Sequence, residues 1–313
     1  MRESERDRVP RLWVVAACLI AVYLIWGSTY LAIRIAIESL PPMTMAAARF
    51  LVAGLLMLAA LMLRGSSLPP ARACANAAVI GVLLLAGGNG AVTIAEQWVS
   101  SSVTAAMVAS GGVWSVVFLA AAGERTRPME WLGVAIAFAG VIVLNLDGDL
   151  RAHPLGAALL VGATISWAIG SVLSRRLALP DGAMAAAIEM IAGGAVMLGV
   201  GVASGESVES VTTRSLAAWL YLVVFGSIVA FSAFTFLIRN VRPALATSYA
   251  YVNPAVALFL GVAAAGENVG TYGYAGVAVI VGGVAVLTLT RSTSTAADDE
   301  VEAEAEAPLA EKP

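Results

Sequence analysis

The 313-residue chain reads as an all-α polytopic membrane protein of ten transmembrane helices, arranged as two inverted five-helix repeats. Three observations predict this. The first is composition: 60% of residues are hydrophobic, 12% are charged, and the mean hydropathy is +0.88. Soluble domains carry about 25% charged residues. The second is segment length, because apolar runs of about 20 residues, enough to span a bilayer, follow one another through most of the chain. The third is internal repetition. Trp26 and Arg34 return as Trp167 and Arg175, 141 residues later, and Gly123-Glu124, Gly133 and Gly140 return as Gly266-Glu267, Gly276 and Gly283, 143 residues later. Five crossings leave a chain on the opposite side of the bilayer. A second copy of such a unit therefore inserts upside down, a common plan of secondary transporters.

The elements follow in order. Helix α1, expected over 12–33, is too long for a signal-peptide core of about 7–15 residues and is retained. Its Trp26 lies well inside the apolar run beside Gly27-Ser28, which favours a protein- or cavity-facing ring over an interfacial anchor. Helix α2, over 43–63, follows Pro41-Pro42 and carries Arg49 about 9 Å in at the helical rise. Two readings stand for Arg49: it snorkels to the interface, or it acts on substrate or gate. Helix α3, over 75–97, contains Gly87-Gly88-Asn89-Gly90 and ends in Glu96-Gln97-Trp98. An amide facing lipid would leave its donors unmet, so Asn89 bonds a neighbouring helix or lines a cavity. Glu96 is either an interfacial cap or an outer-gate carboxylate paired with Arg49 or Arg34.

Helix α4, over 101–122, sets Trp114 after Gly111-Gly112, and α5, over 130–147, opens on Glu130-Trp131-Leu132-Gly133. Helix α6, over 155–175, follows Pro154 and carries Trp167. Helix α7, over 183–203, carries Glu189, a candidate for proton coupling, and the packing pair Gly193-Gly194. Helix α8, over 215–236, has Trp219 near its start, where it reads as a belt anchor like Trp13. In α9, over 244–264, Tyr249 and Asn253 are four apart and share a face, and Pro254 frees a carbonyl. That polar, kinked stretch fits a substrate path or a packing kink. Helix α10, over 272–290, carries a second expected packing pair, Gly282-Gly283. The organisation is thus a cytoplasmic N-terminus (1–11), a first repeat (12–147), a second repeat (155–290) and a disordered acidic cytoplasmic tail (291–313).

Charge sets orientation. With the N-terminus cytoplasmic, only Arg34, Arg151 and Arg214 of the 18 basic residues fall outside, and Arg49 falls within α2. That bias places both termini inside. Arg125 and Arg127 follow Glu124, whereas Asn268 and Gly270 follow Glu267, so the scaffold repeats while its positive charge does not.

Composition also excludes classes of chemistry. There is no phosphate-cradling Gly-Lys-Ser/Thr loop, and His153 is the single histidine. Cys18 and Cys74 have no framework around them. No catalytic residue, metal, cofactor or nucleic-acid partner is expected. The expected partners are a small-molecule substrate, the bilayer, and a proton if Glu96 or Glu189 couples transport.

The chain resembles the drug/metabolite transporter superfamily, and within it the EamA-type permeases. The resemblance rests on Trp26-Gly27-Ser28, Arg49-Phe50, the Gly-Glu pairs closing α4 and α9, Glu130-Trp131-Leu132-Gly133, and Asn253-Pro254. It implies a central cavity lined by α1, α3, α4, α6, α8 and α9, export of small metabolites or drugs, and a monomer. Mapped on this sequence, it offers Trp26, Ser28, Tyr30, Asn89, Trp114, Trp167, Ser171, Ser232, Tyr249 and Asn253 as substrate-binding candidates. Arg49, Glu96, Glu189 and Pro254 are candidates for gating or coupling. Two departures stand out. Gly111-Gly112 replaces the usual α4 proline, and α6 keeps only Trp167-Ala168-Ile169 of the Trp-Gly-Ser motif. The expected function is a secondary transporter in the plasma (inner) membrane, working by alternating access. A lipid-handling membrane enzyme and a non-transporting sensor or assembly partner are the alternatives.

Overall fold

The computed structural model describes residues 12–121, 123, 127–144, 146, 153–241, 245 and 248–286. The expected termini (1–11 and 291–313), Glu124, Arg125, Arg151 and the side chain of Tyr251 lie outside the described residues. All regular structure among the described residues is helical. Helix α1 is Leu12–Ala36, α2 Pro42–Leu63 and α3 Ala71–Ala95. Helix α4 comprises Ser101–Ala109 and Gly111–Ala121, α5 is Pro128–Leu144, α6 Pro154–Ser174 and α7 Gly182–Ala203. Helix α8 begins at Thr213 and reaches Asn240, α9 is Tyr249–Ala265 and α10 Thr271–Val286. Among the described residues, seven helices are long and apolar enough to cross a membrane, and three shorter apolar helices accompany them.

Local sequence explains the ends. Pro42 opens α2, where its missing N–H costs no helical hydrogen bond. Helices α2, α4, α7 and α9 end at Gly65, Gly123, Gly205 and Gly266, with φ of 86°, 82°, 70° and 66°. Glycine takes that left-handed conformation without a Cβ penalty. Helix α4 is broken at Ser110 rather than continuous. The larger departure is inside α3 and α8. Val82–Gly90 and Leu222–Val229 are wide π-helical turns at corresponding places in the two repeats. Such turns frequently mark functional sites.

The two halves interlock. Helix α1 packs on α8 and α9, and α6 packs on α3 and α4 in the matching way; α2 lies along α7. Lipid tails are as apolar as leucine, so association relies on close van der Waals packing. Small residues provide it. A Cβ on Gly194 would lie 3.0 Å from the Leu51 nitrogen, and one on Gly193 2.8 Å from the Gly81 carbonyl. Helices α5 and α10 meet the same way, Gly276 against Leu144 Cα at 2.7 Å and Gly283 against Ala137 Cα at 2.8 Å. Gly282 faces open space and is not a packing residue. Replacing Gly283 with valine is therefore expected to lower the melting temperature in detergent, and Gly282→Val to leave it nearly unchanged. Equal shifts for both would contradict this interface.

The tryptophans sort differently from expectation. Trp13 is exposed, in keeping with a belt position. Trp219 packs against two buried clusters, and its Nε1 is sealed without a partner. It is a packing residue; position near a helix end did not reveal the direction its ring takes.

Candidate functional site

The wide turn of α8 is where side chains from α1 and α2 converge. From α1, Trp26 Nε1 donates to the Gly226 carbonyl at 3.2 Å. From α2, Arg49 Nε donates to Ser227 Oγ at 2.9 Å. Gly226 leaves the space for this, since a Cβ there would lie 3.1 Å from Arg49 Nη2 and 3.2 Å from Thr29 Cγ2. The Trp26 ring is boxed by Phe231, Phe234 and Tyr249, with centroids 5.3, 5.0 and 4.9 Å away. Ser28 bonds the Tyr221 hydroxyl at 2.6 Å. Tyr23 bonds Ser248, and the Asn253 amide, correctly oriented, donates to the Tyr249 and Tyr23 carbonyls at 3.3 Å. Val256, one turn along α9, sits against Gly27. Pro254 lies between, inside α9. The structure thus brings together Trp26, Ser28, Tyr249, Asn253 and Arg49.

A second group forms on the wide turn of α3. Ser166 Oγ of α6 donates to the Leu83 carbonyl at 2.7 Å, and the Trp167 ring lies over Gly88. Asn89 is half-buried on the same turn, and its carbonyl accepts from Thr93 Oγ1. This arrangement corresponds to Trp26 on Gly226 in the other repeat. Other candidates stand apart. Trp114 stacks on Phe118 of its own helix at 6.3 Å, Ser171 is half-buried on α6, and Ser232 is exposed and bonds the Ile228 carbonyl. Glu189 is half-buried on α7, beside Gly81 of α3.

A polar end-region forms where α3 meets α4. Glu96 is 1% exposed, and neither carboxylate oxygen has a hydrogen-bond partner. Its backbone caps the end of α3, but its carboxylate is buried rather than solvated at an interface. Nor does Arg34 pair with its carboxylate: Nη1 donates instead to the Glu96 and Val99 carbonyls at 2.8 and 3.0 Å. Tyr30 packs against the adjoining buried cluster. Arg49 is 4% exposed and lies over the Phe50 ring at 4.6 Å, so it does not snorkel.

Two carboxylates staple helix starts from a distance. Glu267 accepts from the backbone nitrogens and hydroxyls of both Ser101 and Ser102, at 2.6–3.2 Å. Burial raises the Glu267 carboxyl's affinity for a proton, but hydrogen bonds from Ser102 and Ser101 outweigh it and hold its pKa below the ordinary value. Glu206 does likewise for α2, accepting from the Met43 and Thr44 nitrogens and Thr44 Oγ1 at 2.7–3.1 Å. Sequence reasoning named the Gly-Glu pairs at 123 and 266 but missed the third, Gly205-Glu206. It also missed Tyr221, Ser227, Phe231 and Phe234. A third Gly-Glu was a visible signal; single residues in an apolar run carried none.

Comparison with known proteins agrees with this architecture. The model of the EamA-like transporter family matches residues 12–146 and again 154–289. The uncharacterised inner membrane transporter YedA of Escherichia coli K12 is 49% identical over 282 residues, covering 90% of this chain and 92% of that protein. Protein PecM of Dickeya dadantii is 27% identical over 245 residues, covering 76% and 80%. A solved crystal structure shares the fold, with a TM-score of 0.64 at 22% identity, covering 88% of this chain and 96% of that one. With both halves matched separately, the chain belongs to the EamA-like transporter family.

Proposed function

We propose that the protein is a secondary transporter of the inner membrane that exports small organic metabolites or drugs by alternating access. In this reading the three shorter helices complete ten crossings, the two repeats insert in opposite orientations, and both termini are cytoplasmic. The substrate moves through a central cavity between the repeats. Trp26, Ser28, Tyr249 and Asn253 contact it from one side, and Asn89, Trp114 and Trp167 from the other, with Tyr30, Ser171 and Ser232 along the path. Arg49, Glu96, Glu189 and Pro254 serve gating or proton coupling. One observation carries the reading: an aromatic box around Trp26, pinned to a wide turn, sits where helices of the two repeats cross. Family membership and the name of the YedA relative support it.

Flux in proteoliposomes against a metabolite panel tests it. The expected result is saturable flux of at least one compound, cut about tenfold by Trp26→Phe, since tenfold in affinity corresponds to about 1.4 kcal/mol. No saturable flux for any compound from folded protein would overturn it.

A further inference from the structure

Arg49 presents an arrangement that packing alone does not account for. It is 4% exposed and lies about 10 Å along α2 at the helical rise. Its Nε is committed to Ser227, and one face of the guanidinium covers Phe50. Its two Nη nitrogens donate to nothing among the described residues. Unlike the Glu96 oxygens, they are not fully sealed from their surroundings. Glu96 acts on Arg49 only through space; the carboxylate does not touch it. A buried guanidinium without a contacting anion is costly. With Nε occupied, the free edge is the Nη1–Nη2 fork, which matches the two oxygens of a carboxylate.

The neighbourhood suits an anion on an apolar body. Gly226 lies beside Arg49 Nη2 and is also the acceptor for Trp26. The cationic fork and the aromatic box are therefore one residue apart on the wide turn of α8. We propose that Arg49 anchors the carboxylate of a transported organic acid, whose apolar part lies toward the Trp26 cluster. This rests on the transporter reading above and specifies its substrate class.

The test uses full-length protein in phosphatidylcholine nanodiscs, with phenylacetate, its neutral isostere phenylacetamide and the cation phenethylammonium as probes. Equilibrium dialysis is expected to show at least a tenfold preference for the acid over the amide. Arg49→Gln should bring that ratio close to one while leaving amide binding in place, and Arg49→Lys should fall between. Gly226→Ala is a second variant that keeps the charge: its Cβ crowds Nη2, and acid binding should drop while amide binding holds. No acid preference in the unaltered protein overturns the proposal, as does an Arg49→Gln ratio equal to it. Loss of phenylacetate binding on adding phosphatidylglycerol would assign the fork to a lipid phosphate and also overturn it. Saturable flux of neutral or cationic solutes without acid preference leaves the transporter reading standing and removes this one. Acid-selective binding without flux leaves the carboxylate site at Arg49 standing and removes transport from both readings.

Discussion

Trp26→Ala is expected to destabilise the folded protein by about 3 kcal/mol, the lower end of the range for deleting a buried aromatic side chain, because the ring is half-buried. The ring touches three aromatic neighbours from α8 and α9, so its loss opens a void at the seam of the two repeats. It also strips the Gly226 carbonyl of its indole donor. In lipid the cost comes through lost packing rather than exposure to water, because tails offer the same polarity as the ring's neighbours. Trp26→Phe keeps much of the volume and loses the hydrogen bond, for about 1 kcal/mol. Trp167→Ala should cost less than Trp26→Ala, because Trp167 packs on Gly88 without an aromatic partner among the described residues. Denaturant unfolding in detergent measures all three. An alanine variant at position 26 no weaker than its phenylalanine counterpart would refute the box as a structural unit.

Much of the helical plan was legible because its signals are local. An apolar run of bilayer length, cut by Pro41-Pro42 or Pro154, needs no partner to be recognised. Each predicted segment holds a helix, with ends shifted by a few residues. The wide turns in α3 and α8 were not legible, since a changed hydrogen-bonding step leaves hydropathy untouched. The glycines at 87, 88 and 90 gave a hint in α3; Leu222–Val229 gave almost none. Among the candidates, Trp26, Tyr249 and Asn253 stood out as polar-edged residues in apolar helices, and the structure gathers them. Ser227 did not stand out, because a lone serine in a membrane helix ordinarily bonds its own backbone. Trp219 misled because depth along a helix carries no information about rotation around it. Glu206 and Glu267 act on residues more than 160 positions away, and no local pattern encodes such a partner.

Glu267→Ala is expected to be the costliest change outside the helices, at about 2 kcal/mol, the upper end for losing a helix cap. Four donors converge on one carboxylate, and two of them are backbone N–H groups at the start of α4 with no helical acceptor. Gln at this position keeps the shape but offers one acceptor oxygen, so it should recover only part of the loss. Gly261→Ala should copy the defect, since its Cβ would collide with the Glu267 carboxylate. The pH dependence has a definite sign. Because the folded pKa lies below the ordinary 4.5, the contribution is full above that value and is lost as pH falls through the depressed folded value. The unaltered protein should therefore lose stability on acidification below about pH 4.5 more steeply than the alanine variant, which has no such group to protonate. Glu206→Ala acts on a different helix start, so the double variant should lose the sum of the two to within about 0.5 kcal/mol. A sum that falls well short would mean that the two carboxylates hold one latch, closing the same end of the bundle, rather than two independent caps.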